Sequence, residues 1–164
     1  MPNTLVSGPE GVRALVAELA DGERLAGLDV GSKTIGVAIS DGQRIIASPH
    51  FTVRRLRLAD DIAALSTTFS DQSIGGAVIG LPVNMNGSEG PRCQSVRQFA
   101  TDLGTRTGMA LALWGERLSS AAVNRCLIDA DLSRRRRGQL VDKLAAAYIL
   151  QGALDFLAKE HPLR

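Results

Sequence analysis

The spacing of apolar positions changes repeatedly along the chain, and each change marks an element. Val12, Leu15, Val16 and Leu19 recur at helical steps, which predicts a helix over Ser7 to Ala20 started by a Ser7–Glu10 capping box. Three β-rich runs follow, Arg24–Leu28, Thr34–Ser40 and Arg44–Val53. A glycine-bearing turn after Asp29 joins the first two, and Asp41-Gly42 joins the next pair. Pro49 has no N–H for a ladder, so the third strand is expected at a sheet edge. Leu58, Ile62, Leu65 and Phe69 return to helical spacing. Gly76–Leu81 is a continuous apolar run, the pattern of a buried parallel strand. A polar loop from Pro82 to Pro91 precedes a helix marked by Val96, Phe99, Ala100 and Leu103. Met109–Trp114 reads as the last strand, Ser119–Asp129 as a helix and Gln139–Ala158 as the final helix. After the first helix the order is β-β-β-α-β-α-β-α-α, an α/β mixed sheet with helices on its faces. The first helix is expected outside the main fold, so residues 1–23 form an accessory element and 24–164 the domain.

A length of 164 residues suits one domain with a sizeable core. Aromatic content of 4% leaves the packing to Leu, Val, Ile and Ala. No segment reaches transmembrane length and no signal peptide is visible, so a cytoplasmic protein with no membrane partner is expected. Cys93 and Cys126 lie far apart, in no metal or redox spacing, and read as reduced thiols. The net charge of +2 does not by itself indicate nucleic acid. The basic residues are clustered, however. Arg54, Arg55 and Arg57 form a group equally readable as phosphate contacts or as a solvated loop. Arg134, Arg135, Arg136 and Arg137, between Ser133 and Gly138, read as a mobile loop that grips a phosphate backbone.

Chemistry centres on Asp29, which closes the first strand and opens the turn Val30-Gly31-Ser32-Lys33. Glu116 follows the last strand, and Asp142 falls in the first turn of the final predicted helix, with small Ala145 and Ala146 one turn on. Singly, Glu116 reads as an ion pair with Arg117, and Asp142 as a complement to the helix dipole. In an open α/β sheet, function lies beyond the carboxyl ends of the strands. There the three carboxylates could hold one or two divalent ions, and two ions about 4 Å apart activate water and stabilise a leaving oxygen. The loop Gly80–Arg92 frees backbone N–H groups at a helix start and could cradle a phosphate. Lys33, Asn84, Arg92 and Arg117, with the four arginines, are the candidate nucleic-acid contacts.

Four ordered motifs carry a resemblance: Gly27 through Ala38, the Gly80–Arg92 loop, Glu116-Arg117-Leu118-Ser119, and Val141-Asp142-Lys143-Leu144-Ala145-Ala146. Together they resemble the YqgF family, which is similar to Holliday-junction resolvases in its ribonuclease-H-like fold. The resemblance spans Leu25 to Leu157 and implies a ribonuclease-H-like mixed five-stranded sheet with helices on both faces. It implies a nuclease using Mg²⁺ or Mn²⁺, with Asp29, Glu116 and Asp142 as its acidic triad. The implied partner is structured RNA, at the 5′ end of precursor 16S ribosomal RNA, or branched DNA, with the protein a monomer or homodimer. The family typically has Asp-Glu-Arg where this chain has Gly115-Glu116-Arg117. That departure keeps open a nucleic-acid-binding module with weakened catalysis. The Asp29–Gly36 turn also resembles the first phosphate loop of actin-type ATPases, which close two such domains on a nucleotide.

Overall fold

The computed structural model describes residues 5, 7–84, 86–115 and 134–160, without the side chains of 134–140. In chain order these form α1 (Gly8–Ala17), β1 (Arg24–Val30), β2 (Thr34–Ser40), β3 (Ala47–Arg54), α2 (Leu58–Asp71), β4 (Ile74–Leu81), α3 (Pro91–Thr107), β5 (Ala110–Gly115) and α4 (Arg134–Glu160). One five-stranded sheet runs β3-β2-β1-β4-β5. Strands β1, β2 and β3 pair antiparallel, whereas β1–β4 and β4–β5 pair parallel. The expected mixed sheet is therefore present, with β3 at its edge. The pairing register shifts around Pro49, where a ladder N–H is missing.

The strands alternate two unlike faces. Leu28, Val30, Ile35, Val37, Ile79, Leu81 and Leu113 point to one side and meet Ile62, Leu65 and Phe69 of α2 and Val96, Phe99 and Leu103 of α3. The opposite face carries small residues, and α4 lies close against it. A Cβ on Gly27 would stand 2.6 Å from Leu150 Cβ and 2.7 Å from the Ala146 carbonyl oxygen. A Cβ on Gly36 would overlap the Asp142 carbonyl. Leu25, Val78, Ala112, Ala146, Ile149, Leu150, Ala153 and Leu154 close this second core layer.

Several elements differ from expectation. Helix α1 packs within the fold rather than outside it: Val12 and Leu15 are 0% and 2% exposed and join that second layer. Gly76 leaves the room that Leu15 fills, and Arg13 pairs with Glu160 and lies over Phe156 of α4. The predicted capping box does not form a side-chain bond; Ser7 stands at the N-cap and bridges β5 at Leu113. Strand β1 runs two residues further than expected, to Val30, so Asp29 sits inside it. Strand β3 starts at Ala47 rather than Arg44, since Asp41 Oδ1 accepts the N–H groups of Ile45 (2.7 Å) and Ile46 (2.8 Å) and holds them in a turn. Arg134 to Arg137 are the start of α4, not a mobile loop. Arginine is a strong helix former, and that preference prevails over like-charge repulsion here. Asp142, eight residues after Arg134, is consequently in the third turn and not the first. The predicted helix Ser119–Asp129 and Cys126 lie outside the described residues.

Candidate functional site

Asp29 and Gly36 are directly opposed in the β1–β2 ladder, so both face α4. Because Gly36 lacks a side chain, the α4 backbone settles over it at Asp142. This contact brings the carboxylate of a C-terminal helix to the carboxyl end of β1. Thr34, two residues before Gly36 and on the same face, donates from Oγ1 to Asp142 Oδ2 at 2.8 Å. Asp29 is half-buried, and its carboxyl pKa is pushed up to about 6. Burial is the largest cause and the Asp142 charge the second, while Arg92 opposes both.

The Asp142 charge adds to the cost of ionising half-buried Asp29, and a divalent cation is a partner that would remove that cost. Hard carboxylate oxygens suit Mg²⁺ or Mn²⁺. Asp29 and Asp142 thus fit the expected metal group. Among the described residues no three His, Cys, Asp or Glu side chains are gathered. Glu116 and Arg117 lie outside them, and β5 ends at Gly115, the residue before Glu116.

The turn beyond Asp29 is built tightly. The Gly31 N–H donates to the Thr34 carbonyl at 2.8 Å, and Lys33 stands exposed at the tip. Arg55, the residue after β3, clamps this turn. Its N–H donates to Lys33 O at 2.9 Å, and its Nη1 donates to Gly31 O at 3.0 Å. Its Nε bonds Asp61, which is 2% exposed, at 3.3 Å, and its guanidinium lies 5.3 Å from the Phe99 ring centroid. The first arginine group therefore divides: Arg55 belongs to the architecture, whereas Arg54 and Arg57 are exposed.

The Gly80–Arg92 loop is partly closed on itself. The Asn84 N–H donates to Ser88 O (2.8 Å), the Gly87 N–H donates to Asn84 O (2.8 Å), and Asn84 Nδ2 bonds Ser88 Oγ (3.0 Å). Asn84 thus shapes the loop through its own side chain. Arg97 holds Glu89 at 2.7 and 3.0 Å and pins the loop to α3. Buried Cys93, a free thiol, donates to Pro82 O at 3.1 Å. Arg92, in the first turn of α3, is exposed and close enough to lower the Asp29 pKa. An open cleft of about 440 Å³ separates Arg92 and Ser95 from Gly31, Ser32 and Arg55.

The structure therefore gathers Asp29, Asp142 and Arg92, and places Lys33 on the neighbouring turn. Glu116, Arg117 and the side chains of Arg134, Arg135, Arg136 and Arg137 lie outside the description. Thr34 and Gly36 were not singled out from the sequence. Strand parity was the available signal, because both share with Asp29 the sheet face turned to α4.

A family profile described as RuvX, Holliday junction resolvase, matches residues 23–156. The chain belongs to the RuvX family. The YqgF resemblance and this profile are the same family. A RuvX-family relative in Paramagnetospirillum magneticum, named "Putative pre-16S rRNA nuclease", is 55% identical over 141 residues, covering 86% of this chain and 91% of its own. A relative of the same name in Ruegeria pomeroyi is 51% identical over 148 residues, covering 90% and 96%. Among solved structures, Thermus thermophilus RuvC in complex with a Holliday junction substrate aligns over 84% of this chain and 96% of its own, at 15% identity and a TM-score of 0.48. No helix among the described residues is long and apolar enough to cross a membrane.

Proposed function

We propose that this RuvX-family chain is a divalent-metal-dependent endonuclease that trims precursor 16S ribosomal RNA at its 5′ end, with Asp29, Asp142 and Glu116 as its acidic centre. The observation that carries the proposal is the Asp29–Asp142 pair, held together across Gly36 with the Asp29 pKa raised to about 6. A carboxyl perturbed by burial and by a second carboxylate, at the edge of a cleft, has the character of a functional group. The names of the RuvX-family relatives supply the substrate class.

Asp29 and Asp142 would hold the metal through their oxygens, with Glu116 as the third carboxylate. A bound Mg²⁺ supplies charge neutralisation at the scissile phosphate and lowers the pKa of a water. Arg92, at the start of α3, faces the same edge and would take phosphate oxygens of the bound strand. Lys33, at the tip of the turn clamped by Arg55, would contact the backbone as a point charge. Asn84 would act by shaping the loop before Arg92. Arg117 and the four arginines at the start of α4 would add further phosphate contacts. Branched DNA is the second reading, favoured by the description of the family profile.

The test is cleavage by the pure protein of an end-labelled precursor 16S RNA beside a four-way DNA junction, in Mg²⁺, Mn²⁺ or EDTA. Metal-dependent cuts in the RNA leader alone support the proposal. Cutting of the junction alone selects the second reading. Binding of either without cleavage in any metal means a binding module.

A further inference from the structure

We propose that Thr34 is a positioning residue for the Asp142 carboxylate, and so for the affinity of the site for its divalent cation. This rests on the proposal that Asp142 is a metal-holding group. The backbone of Asp142 is located by its contact with Gly36, but an aspartate carboxylate rotates in a broad well about its last torsion. Packing of the helix therefore does not by itself aim the oxygens. The Thr34 hydroxyl does, through its 2.8 Å bond to Oδ2. It is well suited to the task. Thr34 opens β2 two residues from Gly36, and a β-branched side chain in a strand has few χ1 states. The Gly31–Thr34 backbone bond, with Arg55 bound to Gly31 O, fixes the residue from the other side. One hydroxyl thus links the turn beyond Asp29 to the helix that carries Asp142. Partners that orient metal-holding carboxylates change metal affinity or activity by about 10- to 100-fold when lost.

The experiment uses calorimetric Mn²⁺ binding to the whole protein without substrate, for wild type, Thr34→Val, Thr34→Ser and Asp142→Asn, alongside kcat and KM for RNA cleavage. Thr34→Val keeps the shape and removes the hydroxyl. Mn²⁺ affinity is expected to fall about tenfold. The loss should be matched in kcat at fixed Mg²⁺, with KM for RNA unchanged and melting temperature near wild type. Thr34→Ser, which restores the hydroxyl, should return Mn²⁺ affinity to within about threefold of wild type. If Thr34→Val melts below the assay temperature, Thr34→Ala takes its place in the same comparison. Mn²⁺ affinity within twofold of wild type in Thr34→Val, with affinity lost in Asp142→Asn, overturns the role of Thr34 and leaves the site proposal standing. Full Mn²⁺ affinity in Asp142→Asn overturns the site proposal, and the role of Thr34 with it.

Discussion

Asp29 is expensive for the metal-free fold. Its folded-state pKa of about 6 exceeds the ordinary 3.8, so the folded protein holds this proton more tightly than the unfolded chain does. The resulting stability is complete below pH 4 and is lost as pH rises through 6. The loss is on the order of 3 kcal/mol for a shift of about two units. Asp29→Asn removes the charge and keeps the shape. In EDTA its melting temperature should exceed that of wild type at pH 8 and match it near pH 4, measured by thermal denaturation across pH. A lower melting temperature at pH 8 would mean that Asp29 stabilises the turn. Gly115 poses the complementary question of a missing carboxylate. A Cβ there meets nothing within 4 Å among the described residues, so Asp fits beside them. Gly115 pairs with Leu81, whose side chain lies in the α2–α3 layer, so the new group would start on the face opposite Asp29. Gly115→Asp should leave Mn²⁺ affinity within about twofold, by calorimetry, because an exposed charge beyond the pair is screened. The Gly115 departure was legible in the sequence, but its face was not, because facing depends on register.

At the scale of elements, the glycines of β1 and β2 serve helix packing. A small residue in a strand leaves room for a close partner, and periodicity alone does not say which partner that is. Gly36 and Gly27 admit α4. Gly36→Ala should cost about 2–3 kcal/mol by overpacking and should displace Asp142 from Asp29. Urea denaturation would measure the first effect and loss of Mn²⁺ affinity the second; a variant normal in both would show that α4 has slack here. The strands themselves were legible. β2 runs from Thr34 to Ser40 as its β-rich run indicates, and β4 is buried and parallel as its apolar run indicates. The errors fell where side chains override backbone pattern, as at Asp41 capping Ile45 and Ile46, or where charge was weighed above helix propensity, as at Arg134 to Arg137.

Over the whole molecule, five strands convert sequence distance into proximity. Thr34 and Asp142 stand 108 positions apart and share a hydrogen bond. Asp29 was legible because it stands one residue from the end of a strongly patterned strand, and Asp142 because it belongs to a strongly patterned helix. The pairing itself was not, because α4 reaches β1 only across the small-residue face. The four arginines that open α4 lie eight to five residues before Asp142, so the proposed phosphate contacts would stand on the same helix as the acidic site. Replacing Arg134, Arg135, Arg136 and Arg137 together with Ala should weaken nucleic-acid binding across sequences and flatten its salt dependence, since each lost phosphate contact removes about one released counterion. Filter binding across salt concentrations reads both. An unchanged affinity and slope would make the cluster a solvated helix start.

The measurement closest to the central claim is single-turnover cleavage of labelled precursor 16S RNA by wild type, Asp29→Asn and Asp142→Asn in Mg²⁺, with EDTA as control. Wild type should cut in Mg²⁺ and not in EDTA. Both variants should fold, bind the RNA and fail to cut, with rates down by at least about a hundredfold if each holds the ion directly. Cleavage by either variant within a few-fold of wild type, or cleavage by wild type in EDTA, would contradict a metal-holding Asp29–Asp142 centre.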